Sequence, residues 1–108
     1  MGWSPMQHMS WLGTGMRTVV SGGTPNALTT TAVRCKRVML LAPSTNSGAI
    51  FYGISASLTK TMDAGNITTG AQLAAGDSSV WLIVPDDDLQ NIYIDGTTDD
   101  DVTFIYEG

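Results

Sequence analysis

The sequence predicts an all-β fold: an antiparallel β-sandwich, jelly-roll-like, of seven to eight short strands behind an extended N-terminal arm. Three observations carry that expectation. Thr, Ser and Gly are frequent, whereas Glu occurs once, at Glu107, and Lys only at Lys36 and Lys60, so the long side chains that favour helices are scarce. Apolar runs are short and are broken by Gly, Pro, Asn or Asp about every eight to twelve residues, the punctuation of a sandwich or barrel. No stretch accommodates the roughly 30 residues of a strand–helix–strand unit. At 108 residues the chain is a single domain, able to bury about two-thirds of its unfolded surface in one core.

Residues 1–15 (MGWSPMQHMSWLGTG) are expected to form the arm and residues 16–108 the sandwich. The arm holds two of the three tryptophans, three of the six methionines, the only histidine and no charged side chain. Pro5, Gly13 and Gly15 exclude a long helix, while Met6, Met9 and Leu12 are spaced as one apolar face of a short helical turn. From Met16 the text turns to strands. Met16–Val20 ends at the Ser21-Gly22-Gly23-Thr24-Pro25 turn, and Ala27–Thr31 reads as a short strand. Val33–Ala42 follows, and the unbroken apolar run Val38–Leu41 predicts a strand covered on both faces. A polar loop, Pro43–Gly48, leads to Ala49–Ser55, where Gly53 suggests a bulge or a close backbone approach. Residues 57–70 read as a long polar connection, followed by a strand end and tight turn at Gln72–Asp77. Val80–Val84 is expected to be the most buried strand, stopped by Pro85. Leu89–Asp95 alternates, with Ile92 and Ile94 sharing a face, and Val102–Glu107 closes the fold after a turn at Gly96–Asp101.

The net charge of −5 conceals an asymmetry: all five basic residues precede all ten acidic ones. An acidic chain without a dense basic stripe is unsuited to gripping nucleic acid. The split has two readings: strands from opposite halves pair so that charges meet across the sheet, or the subunit presents faces of opposite sign to copies of itself. A single cysteine, Cys35, excludes an internal disulfide. It reads as a buried, hydrophobe-like thiol, although Arg34, Lys36 and Arg37 would depress its pKa if it were exposed. No apolar run approaches the ~18–20 residues of a membrane span. The first residues lack the pattern of a secretory signal, and Met6 stands where myristoylation requires Ser or Thr. Neither a membrane nor a nucleic acid is an expected partner.

Catalytic constellations are missing from the text. His8, in the arm, has no neighbour to orient it for a Ser–His–Asp relay or a thiol pair with Cys35. One His and one Cys do not make a zinc site. Asp86-Asp87-Asp88 and Asp99-Asp100-Asp101, with Asp95, offer hard oxygen ligands for calcium, but no window has the Gly and Glu positions of an EF-hand loop; the simpler reading is that the two clusters cap turns. Gly13-Thr14-Gly15 and Gly22-Gly23 lack the Lys and helix of a phosphate loop. No catalytic, cofactor or metal residue is therefore assigned, and no enzyme is expected. Trp81 reads as core or sheet face. Trp3, Met6, Met9, Trp11 and Leu12 are the candidate partner interface, because Trp and Met favour interface centres and the segment is too short to make its own core; folding back on the domain is the alternative.

A resemblance adds to this reading. Gly48-Ala49-Ile50-Phe51-Tyr52-Gly53, Leu73-Ala74-Ala75-Gly76-Asp77-Ser78, Leu89-Gln90-Asn91-Ile92-Tyr93-Ile94-Asp95-Gly96 and the terminal Phe104-Ile105-Tyr106-Glu107, taken in that order, resemble the small β-sandwich structural proteins of tailed bacteriophages. Their chains often end in a similar NIYIDG…YIYEG pattern. The likeness covers roughly residues 17–108 and excludes the arm. It implies a head decoration (cement) protein that clamps major capsid subunits, or a tail-associated component, made in the host cytoplasm and located in the virion, with the capsid surface favoured. It also implies a homo-oligomer, a trimer favoured, with the arm reaching a neighbour. The alternatives are a tail, baseplate or fibre module, and a carbohydrate- or receptor-binding module using Tyr52, Tyr93 and Tyr106.

Overall fold

In the computed structural model, which describes residues 11–54 and 70–108, the alternation of apolar and polar residues resolves into eight strands: β1 (Leu12–Thr18), β2 (Asn26–Ala27), β3 (Arg37–Leu41), β4 (Ile50–Gly53), β5 (Gly70–Leu73), β6 (Leu82–Ile83), β7 (Tyr93–Asp95) and β8 (Asp101–Glu107). Two single 3₁₀ turns, Pro85–Asp87 and Leu89–Asn91, are the only helical elements among the described residues. The strands form two four-stranded sheets, β1-β8-β3-β6 and β2-β7-β4-β5, and every pairing is antiparallel.

The connectivity has a simple origin. The first strand pairs with the eighth, the second with the seventh, the third with the sixth and the fourth with the fifth, as if one long four-strand-on-four-strand hairpin had been rolled up. The β3–β8 and β4–β7 pairings close the roll into two sheets. This is jelly-roll order. Side chains from both sheets meet in one core, with Val19, Leu28, Val38, Leu40, Ile50, Leu89, Ile94 and Val102 all at most 1% exposed.

Some strands are shorter than expected: of Ala27–Thr31 only Ala27 is strand, Val33–Ala42 is strand only over Arg37–Leu41, and Leu89–Asn91 of Leu89–Asp95 is a 3₁₀ turn. Beyond this shortening, the strands depart from sequence expectation in three places. β1 begins at Leu12 rather than at Met16, so the last residues assigned to the arm belong to the sheet, and Leu12 lies on a strand rather than a helical turn. The two glycines that argued against helix are what the strand uses. Gly13 faces Tyr106 and Gly15 faces Phe104 across the ladder, and each ring lies over its glycine so closely that any Cβ there would collide with it. The pattern continues at the strand's start, where the Trp11 indole covers Gly108 and meets Tyr106 edge-on with ring centroids 5.6 Å apart. Glycines in a strand are ordinarily weak points, and an aromatic ring laid across each one supplies the missing packing.

Second, Val80–Val84 is not the most buried strand. Only Leu82–Ile83 pairs, at the edge of the sheet beside β3; Val80 and Ile83 are 75% and 78% exposed, and of the run only Val84 is buried. Third, β3 is covered on one face alone: Val38 and Leu40 point into the core while Leu41 is 38% exposed. In both cases the unbroken apolar text means a sheet whose outer face is itself apolar. Gly53 introduces no bulge; it pairs in register with Gly70 and Tyr93. The polar connection expected over 57–70 lies outside the described residues except for Gly70 in β5.

Candidate partner interface

Register decides which side chains share the outer face of the β1-β8-β3-β6 sheet. Leu12 stands beside Glu107, Glu107 beside Arg37 and Arg37 beside Ile83. One step along, Thr14 stands beside Ile105 and Ile105 beside Met39, with Trp81 preceding β6. The next row is Met16, Thr103 and Leu41. Leu12, Met16, Leu41, Trp81 and Ile83 are all exposed, and Met39 and Ile105 are half-buried. With strands about 4.8 Å apart and same-face residues about 6.8 Å apart, the three rows cover roughly 360 Å², of which the apolar positions make up roughly 230 Å².

The only charges in these rows cancel. Arg37 donates to the Glu107 carboxylate through Nε at 2.7 Å and through Nη2, and its guanidinium sits 5.4 Å from the centre of the Trp81 ring, a cation–π contact. Lys36 donates to Asp87 at 3.0 Å. Basic and acidic halves of the chain thus meet across the sheet at Arg37–Glu107, whereas Lys36 reaches an acidic residue of the turn after β6 and Arg17 meets no carboxylate among the described residues.

Of the residues singled out in the arm, Trp11 and Leu12 are described, at 52% and 65% exposure. Leu12 lies at one corner of the outer face, while Trp11 is held on the opposite side of β1 by Gly108 and Tyr106. Trp3, Met6 and Met9, like His8, lie outside the described residues. No family model, no curated protein and no solved structure matches the chain. The outer face went unnoticed in the text because a run such as Val38–Leu41 reads the same whether both faces are covered or one is bare. The signal that finds it is the pair of apolar runs meeting on adjacent strands with few outward charges.

The remaining candidates have structural duties. Asp88 caps the second 3₁₀ turn by accepting from Gln90 N at 3.0 Å and also accepts from Val33 N at 3.3 Å. Asp101 accepts from Thr18 Oγ1 at 2.7 Å. Asp100, buried, accepts from Ser47 N, Ser47 Oγ and Gly48 N at 2.9, 3.1 and 2.9 Å. Burial pulls its carboxyl upward, but these three hydrogen bonds outweigh that and hold it below the ordinary range. Asp86, Asp87 and Asp99 adopt positive φ of 53°, 57° and 73°, a region Asp tolerates better than most residues. Among the described residues no three His, Cys, Asp or Glu side chains converge to hold a metal ion. Cys35 is 3% exposed; burial first, then the charges of Asp87 and Asp88, push its thiol up to about 11, so it stays protonated despite its basic sequence neighbours.

Proposed function

We propose that this chain is a structural virion protein of a tailed bacteriophage, a capsid decoration (cement) protein that stabilises the head by binding neighbouring capsid subunits. The observation that carries the reading is the bare apolar outer face formed by Leu12, Met16, Leu41, Trp81 and Ile83, on a sheet with its Arg37–Glu107 charges already paired. A surface of that kind suits permanent docking rather than chemistry. The jelly-roll strand order supports the reading by analogy only, since the same architecture serves viral capsid and lectin domains alike. A cement protein acts through area and repetition: many modest contacts, multiplied over a symmetric shell, resist outward pressure on the head. On this reading Leu12 of the arm residues belongs to the docking face, whereas Trp11 lies on the other side of β1.

Cryo-electron microscopy of the parent particle tests the proposal. Density for this sandwich at symmetric positions on the outer head, with the β1-β8-β3-β6 face turned to the capsid, is the expected result. Its absence from the particle overturns the proposal, and density in the tail supports a tail, baseplate or fibre role instead. Of the three rings a carbohydrate-binding module would use, Tyr52 and Tyr106 are half-buried and pack against the core, and Tyr93 is half-buried in β7; glycan-array binding lost on Tyr93→Ala would favour that module.

A further inference from the structure

We infer that β1 is a self-association edge, pairing antiparallel with β1 of a second copy of this chain to make one continuous eight-stranded sheet. The inference goes beyond the virion reading and does not depend on it. It begins with the direction of the backbone groups. Gly108 N donates to Trp11 O at 3.0 Å and Val19 N to Asp100 O at 2.8 Å, at the two ends of an unbroken register that joins Leu12 to Glu107 and Thr18 to Asp101. In an antiparallel ladder the bonded residues alternate, so Gly13, Gly15 and Arg17 turn their N–H and C=O toward β8. Leu12, Thr14, Met16 and Thr18 turn theirs away from the sheet. β1 is the sheet's outermost strand, and no described residue's backbone or side chain bonds those outward groups.

Strand edges of this length are ordinarily blunted by proline, lysine, a bulge or an inward charge. β1 has no proline or lysine, and its seven-residue register runs without a bulge. Its one charge, Arg17, points inward, the fourth of those devices, but it is taken up within its own subunit, donating through Nε to Ala27 O at 3.0 Å and through Nη2 to Asn26 Oδ1 at 3.4 Å, which leaves the outward N–H and C=O groups of β1 open. The strand is also complementary to itself. In an antiparallel pair centred on Gly15, Leu12 meets Thr18 and Thr14 meets Met16 on one face, while Gly13 meets Arg17 on the other. No like charges oppose one another, and about eight outward hydrogen bonds are satisfied. A two-fold of this kind keeps both outer faces on the same side, so Leu12 and Met16 of each copy join the two apolar faces into one.

The contact is isologous and closes on itself, so sedimentation of the full chain over a range of concentrations should show a reversible monomer–dimer equilibrium. Residue-level amide exchange on the same samples locates it. The Leu12, Thr14, Met16 and Thr18 amides should exchange fast in dilute protein and slowly in concentrated protein, whereas Gly13, Gly15 and Arg17 stay protected in both. Thr14→Pro removes one outward N–H without breaking a bond to β8 and should raise the dimer dissociation constant by about tenfold or more. A monomer at every concentration, a three-copy assembly, or a dimer whose Thr14 and Met16 amides remain fast would each overturn the inference. None of these outcomes bears on whether the chain is found on a phage head, which the particle images decide separately.

Discussion

Asp100 shows how one side chain can fix the end of a sandwich. Its two carboxylate oxygens take three hydrogen bonds from Ser47 and Gly48, tying the loop after β3 to the turn before β8. The folded pKa is depressed below the ordinary 3.8, so the stabilisation is complete above 3.8 and is lost as pH falls through the lower folded value. Asp100→Asn must present an NH₂ group to one of the two backbone N–H donors. It should lower stability at neutral pH by about 1–3 kcal/mol. Urea midpoints for both proteins measured at neutral and strongly acidic pH should converge, because acid removes from the parent what the substitution removes outright; a gap that stays constant with pH contradicts this account. At Cys35 the raised thiol pKa of about 11 and near-complete burial predict that iodoacetamide labels the chain at neutral pH only after denaturation. Rapid alkylation of the native protein would place the thiol at the surface.

Among the elements, β1 and β8 are held by rings laid over glycines rather than by side chains interdigitated between strands. Gly15→Val would drive a β-branched side chain into the Phe104 ring and cost about 1–3 kcal/mol or more through overpacking. Phe104→Ala would strip the same site and cost about 3–5 kcal/mol. Combining the two should recover part of the loss, since the valine then fills the space the ring leaves; calorimetric melting of the three variants measures this, and strictly additive losses would show that the contact is not the cause. This ladder also marks what the text could and could not reveal. The alternation in Val102–Glu107 locates β8 to within one residue; that in Leu89–Asp95 puts Ile92 and Ile94 on one face, and both are buried, but only Tyr93–Asp95 is strand, because Leu89–Asn91 closes a 3₁₀ turn. The start of β1 was missed because Gly13 and Gly15 carry no strand signal of their own; their partners lie some ninety residues away. Val80–Val84 was read as buried because hydropathy reports what a residue prefers, not whether a second layer exists to cover it. The outer face, and with it most of the candidate interface, follows from pairing register, which no local window contains.

On the scale of the whole molecule, the apolar surface that folding uses is separate from the one to which the proposed function assigns docking. The core is closed by inward residues of both sheets, from Val19 and Leu40 to Ile50 and Ile94, whereas the outer face contributes little to that closure. Replacing Met16, Leu41 and Ile83 together by Thr keeps β-favouring residues on the strands and removes side chains that are 62%, 38% and 78% exposed. Exposed positions away from caps and buried networks change stability little, so the triple variant should fold, with a total loss below about 2 kcal/mol, most of it at the less exposed Leu41. On the proposed decoration role, its binding to purified phage particles lacking the protein should fall to background, because a repetitive contact loses affinity at every copy at once. Circular dichroism melts and a co-sedimentation assay on the same preparation separate the two effects. Intact binding by a well-folded triple variant would relocate the interface away from this sheet. A collapse in stability would mean that part of the chain already covers the face, making Leu41 and Ile83 core residues rather than docking residues.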